Sequence, residues 1–231
     1  GTVYLASYDK LYKQIRFSAG SQVNSGTSNG LNAASCQVVA GNSIAGREPG
    51  AYLSLAIVTV NNKDIACLVW YNQNSNKLQY SYKADVTTNK TGTATTGWSA
   101  AQDIFTGGGQ FCQFVADKDN HLHIAAYVGG KVKYAYLPSD NGAIRTCTVD
   151  TGNVGNNLTL DVGLETVSTD NNRPIPVLGY YSSYGKPKYA KLPSSSWFDS
   201  SNNVITAADW VPSDGVDAGN AYTGDWEASY V

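Results

Sequence analysis

The chain has 231 residues, 16 Lys and Arg against 18 Asp and Glu, a net charge of −2 and only 15% charged residues, so it offers no basic field for a phosphate backbone, and nucleic acid is not an expected partner. Its apolar runs fall short of the roughly 20 residues a membrane helix needs, and the first residues lack a signal-peptide pattern, which argues against membrane insertion. With 23 Gly, 16 Tyr and no Met, the composition is that of a β protein, expected to form one domain over 1–231, either as a mature form or as a piece of a larger surface protein.

Read along the chain, the first predicted element is VYLASYD, ending near Tyr8, followed by QIRFSAG with Phe17 and a weaker strand at NAASCQVVA. Next come AYLSLAIVTV, the turn VNNKD, a strand through LVWY to Tyr71, the turn formers NQNSN, KLQYSYK with Tyr80, and TGWSAAQDIF. The order repeats as QFCQFVAD, DKDNH, a strand through AAYV with Tyr127, VGG, KVKYAYL with Tyr134, and AIRTCTVD. It repeats again as GNNLTLDVGLETV, STDNN, LGYY ending at Tyr181, SSYG, KPKYAKL with Tyr189, and VITAADWV. In KVKYAYL, Val132, Tyr134 and Tyr136 alternate with Lys131, Lys133 and Ala135, the pattern of a strand with one buried face.

The repeat tyrosines Tyr8, Tyr71, Tyr127 and Tyr181 recur at intervals of 63, 56 and 54 residues, which suits a four-stranded propeller blade with its loops. The first repeat lacks a leading strand, whereas GNAYTGDWEASYV at the end of the chain lines up with GNNLTLDVGLETV. The expected fold is therefore an all-β, four-bladed propeller in which residues 219–231 complete the blade begun at the N-terminus. The alternative is half of a larger ring. A solenoid would not split one repeat between the termini.

The order SLAI…NNKDIACLVWYN…NKLQYSYK…GW, with its partner DKDNHLHIAAYVGGKVKYAYL, resembles the degenerate β-propeller repeats of secreted and surface bacterial proteins. His123, Tyr127, Tyr134 and Trp98 fall on the positions of that repeat. The resemblance covers nearly the whole chain and implies a secreted or cell-surface location, with propellers of this kind serving as binding and adhesion modules or as enzyme scaffolds.

Chemistry-bearing residues are few. His121 and His123 point to one face of a strand, but no further metal ligand is adjacent in the sequence, so they are expected to be a turn-proximal surface residue and a packed one. Only two histidines leave little room for a Ser-His-Asp triad, which argues against a serine hydrolase. Cys112 and Cys147 are expected on the first and fourth strands of one blade, about 14 Å apart at roughly 4.8 Å per strand and so too far to bridge. A bridge between Cys36 and Cys67 is conceivable, but mostly buried free thiols are expected.

The terminal alignment puts Asp161 and Asp225 at equivalent points on innermost strands, with Gln113 and Leu55 near the same level. Two such carboxylates facing a central channel could hold a calcium ion or split into an acid and a base; the alternative is that they cap backbone groups or sit in channel water. Tyr222, Trp226, Tyr52, Trp70, Tyr180 and Tyr184 are candidate sugar-facing aromatics, each also a candidate for packing between blades. The expected ligand-binding set is Asp161, Asp225, Gln113, Tyr222 and Trp226, with Asp161 and Asp225 as metal ligands and no catalytic residue. The expected function is a secreted or cell-surface recognition module, lectin-like or adhesive, for a glycan or a surface protein. A polysaccharide lyase or hydrolase using Asp161 and Asp225 is the first alternative, and a structural domain of a larger surface protein the second.

Overall fold

The computed structural model describes residues 2–21, 36–41, 52–86, 97–138, 143–152, 154–167, 170–182, 187–192 and 211–213. Every regular element among them is a β-strand. The first sheet holds β1 (Thr2–Asp9), β2 (Gln14–Ser21) and β3 (Gln37–Gly41). The second holds β4 (Leu53–Val60), β5 (Lys63–Asn72), β6 (Lys77–Lys83) and β7 (Gln102–Thr106). The third holds β8 (Gly108–Ala116), β9 (Leu122–Val128), β10 (Lys131–Leu137) and β11 (Arg145–Asp150). The fourth holds β12 (Val154–Val167), β13 (Asp170–Ser182), β14 (Pro187–Lys191) and β15 (Val211–Ser213). In each sheet the strands follow chain order, as a meander. The predicted strand at 219–231 lies outside the described residues.

Turn chemistry explains why neighbouring strands pair. Val60 faces Lys63 across Asn61 and Asn62, both with positive φ (51° and 60°), which is the conformation a two-residue hairpin turn requires and asparagine tolerates. Val128 faces Lys131 across Gly129 and Gly130 (φ 58° and 82°), the same solution built from glycine. Between β5 and β6 the turn is wider, and Asn72 Oδ1 accepts from the backbone N–H of Asn74 and Ser75.

The four hairpins share one register. Phe17, Tyr80, Tyr134 and Tyr189 lie opposite Ala6, Val69, Ala125 and Gly179, in each case two residues before the repeat tyrosine. This fixes equivalent positions: Leu5, Leu68, Ile124 and Leu178 share a place, as do Tyr4, Cys67, His123 and Val177.

The chain divides into two compact units, 1–109 and 110–231. In the first, one apolar cluster gathers Ile15, Phe17 and Ala19 of β2 with Ala66, Leu68 and Trp70 of β5, and Trp98 meets Phe17 edge-on with ring centroids 5.4 Å apart. The Tyr4 hydroxyl donates to Asp64 Oδ2 at 2.5 Å and ties the first sheet to the second. In the second unit the equivalent strands pack with the same faces: Val132, Tyr134 and Tyr136 of β10 share a cluster with Leu178 and Tyr180 of β13. There the tie is Asp150 Oδ2, which accepts from Tyr180 at 2.9 Å and pairs with Lys188 at 2.7 Å.

The cysteines follow this layout. Cys112 and Cys147 lie in β8 and β11, the two edge strands of the third sheet, and Cys36 and Cys67 are free thiols. Burial pushes the Cys67 thiol up to about 11 and that of Cys112 to about 12, so both behave as small apolar groups at neutral pH. Among the described residues no helix is long and apolar enough to cross a membrane.

Candidate functional site

Two places concentrate polar chemistry. The first lies in the turn between β8 and β9. Asp117 opens this turn, its N–H donating to the His121 carbonyl at 2.9 Å, and Asn120 takes the left-handed conformation (φ 64°) that lets the chain reverse. The reversal aims the Asp117 carboxylate inward. Oδ1 accepts from the backbone N–H of Asp119 and His121 at 2.8 and 2.9 Å. Oδ2 lies 3.0 Å from His121 Nδ1 and 3.2 Å from His123 Nε2, and His123 Nδ1 lies 2.7 Å from the Tyr134 hydroxyl.

These contacts settle the proton positions. Burial alone would push the Asp117 carboxyl up, but hydrogen bonds from His121 and His123 outweigh it and hold it well below the usual carboxylate range. An ionised carboxylate only accepts, so His121 Nδ1 and His123 Nε2 both carry hydrogens. Burial pushes His123 down, against the opposing pull of Asp117, which keeps the ring neutral at pH 7. Its Nδ1 is then an acceptor, and the Tyr134 hydroxyl donates to it. Burial raises Tyr134 well above its ordinary value, so it has no tendency to ionise. The chain Tyr134–His123–Asp117 is thus a satisfied internal network that fastens the β8–β9 turn to β10.

Asp117, Asp119 and His121 bring three potential metal-ligand atoms within 4.8 Å of one another, the one such group among the described residues. Histidines without adjacent ligands were the sequence expectation. The turn corrects it by folding Asp117, four residues before His121, against both rings, and His121 is half-buried rather than on the surface. The signal was present in DKDNH, an aspartate at the head of a tight turn. Yet Asp117 already accepts four hydrogen bonds, and Asp119 holds Lys118 at 2.7 Å. A cation here would have to displace those donors from a fully buried carboxylate, so the arrangement serves as a fold lock.

A pH dependence follows from the signs. His123 has a folded pKa below its unfolded value near 6.5, and that of Asp117 lies below about 3.9, so the unfolded chain binds more protons in both windows. Stability is expected to fall on acidification in two stages, first below about pH 6.5 and again below about pH 4, each with a slope of at most about 1.4 kcal/mol per pH unit. Urea unfolding of the wild type and of His123→Gln from about pH 8 down to about pH 2 checks this: the variant should lose the first stage and keep the second.

The second place is the tip of the β1–β2 hairpin, residues 10–13. Asp9 Oδ1 accepts from the backbone N–H of Leu11 and Tyr12 at 3.0 Å each, and its Oδ2 pairs with Arg16 at 3.2 Å. The Arg16 guanidinium also donates to Gln14 Oε1 and lies 5.5 Å from the centre of the Tyr12 ring. Leu11 is 83% exposed and Tyr12 63%, flanked by exposed Lys10 and Lys13. The turn is therefore braced from below while it carries two large apolar side chains in water. No reading of the sequence singled it out.

Asp161 sits exposed on β12, with its Oδ1 accepting from the N–H of Val162 at 2.8 Å. Gln113 is partly buried on β8. Leu55 pairs with Leu68 and so matches Leu160, one residue short of Asp161, which pairs with Val177. Trp70 and Tyr180 are buried in the two apolar clusters and are packing residues rather than ligand platforms. Tyr52 is partly buried and its ring lies 6.4 Å from that of Tyr71. Asp225, Tyr222, Trp226 and Tyr184 lie outside the described residues. No protein-family model matches the chain, and no curated protein is similar to it.

Proposed function

We propose that this chain is a recognition module for a glycan or a surface protein, acting outside the cell and without catalysis, built as a single four-bladed propeller over 1–231. The observation that carries the recognition role is the β1–β2 tip, where Leu11 and Tyr12 are exposed on a turn held by Asp9 and Arg16. Large exposed apolar side chains cost solubility. Fixing them in place lowers the entropy that binding must otherwise overcome.

The propeller reading is supported by the common hairpin register and by the way the two units repeat one packing scheme. The same reading makes an expectation for the first sheet. Among the described residues β1 pairs only with β2, whereas its counterparts β5, β9 and β13 each have a neighbour on both edges. Leu5 is 49% exposed although the equivalent Leu68, Ile124 and Leu178 are all 0% exposed. Tyr189 is 39% exposed, whereas Phe17, Tyr80 and Tyr134 are buried. A ring in which residues 219–231 add a strand to β1, and every sheet has a neighbour on each face, would cover all three.

A glycan array run in calcium and again in EDTA tests the function. Binding that Tyr12→Ala weakens about tenfold is expected. Calcium-dependent binding that survives Tyr12→Ala would move the site to Asp161 and Asp225, and silence in both conditions would contradict the glycan reading.

A further inference from the structure

The β1–β2 tip has a charge of its own. Lys10, Lys13 and Arg16 stand against Asp9, three cations to one carboxylate and a local balance of +2, in a chain whose net charge is −2. Asp9 is committed to two backbone N–H groups and to Arg16, so its charge is turned into the hairpin, while Lys10 and Lys13 are exposed on either side of Leu11 and Tyr12. Arg16 lies 5.5 Å from the centre of the Tyr12 ring and takes up one of its faces, so the C–H face of a sugar would stack on the opposite face of this exposed ring. An aromatic platform between two solvated ammonium groups has the complementary chemistry of a polymer that alternates sugar C–H faces with carboxylates or sulfates.

We infer that the tip formed by Lys10, Leu11, Tyr12, Lys13 and Arg16 binds an acidic polysaccharide, with Tyr12 stacking on a sugar ring and the lysines meeting its anionic groups. This rests on the recognition role proposed above and names the ligand class of that site. An anionic lipid surface would answer the same charge, and the vesicle arm of the test distinguishes it.

The test is gel retardation of the full chain in polygalacturonate, with neutral dextran as control and phosphatidylserine-containing vesicles as the membrane arm. Polygalacturonate should retard the protein, less so as salt rises, and dextran should not. Tyr12→Ala should weaken retardation about tenfold, Tyr12→Phe should restore it, and the Lys10→Ala/Lys13→Ala pair should weaken it and flatten its salt dependence. All three changes are at exposed turn positions, and an unchanged Tm verifies folding. Retardation equal in wild type and variants, no retardation, or sedimentation with vesicles in its absence would overturn the inference. Array binding to a neutral glycan that persists in Tyr12→Ala would overturn this inference alone, whereas silence in every arm would overturn the glycan reading with it.

Discussion

Asp117→Ala should destabilise the chain by about 3–5 kcal/mol, as expected when one member of a buried charged network is removed. The size follows from what remains. His123 is fully buried, and its Nε2–H would lose its acceptor; His121 Nδ1 and two backbone N–H groups of the turn would lose theirs as well. Each buried unsatisfied donor costs about 1–3 kcal/mol; His123 is the fully buried one, whereas water can reach the turn at half-buried His121 and exposed Asp119. Asp117→Asn should cost roughly half as much, because the amide oxygen can still serve the backbone and His123 can switch tautomer to accept from the amide. Urea unfolding at pH 7 measures both, and a loss below about 1 kcal/mol for the alanine variant would show that the network does not lock the turn.

Leu68→Ala and Leu178→Ala should each cost about 2–5 kcal/mol, since both side chains are fully buried in apolar clusters that join two sheets. The informative comparison is the equivalent Leu5, half exposed among the described residues. If the chain closes into a ring, Leu5→Ala should cost about 2 kcal/mol or more; a side chain left in water would cost less than about 1 kcal/mol.

The hairpins were legible because their signals are local. The repeat tyrosines, the Asn-Asn and Gly-Gly turns and the alternation in KVKYAYL fix register within each hairpin, and the observed pairings follow them. The placement of Cys112 and Cys147 on edge strands followed from the same register. Which aromatics face a neighbouring sheet was not legible. Trp70 and Tyr180 have the sequence surroundings of loop-end residues, and only the packing of two sheets buries them. The Asp117 network was missed because it depends on a turn folding a carboxylate back onto a strand two positions beyond the first histidine. Tyr12 looks like any loop tyrosine until Asp9 and Arg16 are seen to brace it.

The most direct test of the proposed ring is amide hydrogen exchange along β1. Alternate amides of Thr2–Asp9 bond to β2, and the intervening ones point to the other edge. Closure by residues 219–231 predicts that both sets are protected to the level of β5, and that the intervening set alone loses protection when 219–231 are deleted. Rapid exchange of the intervening amides in the full chain would mean that β1 is an open edge and that the ring does not close.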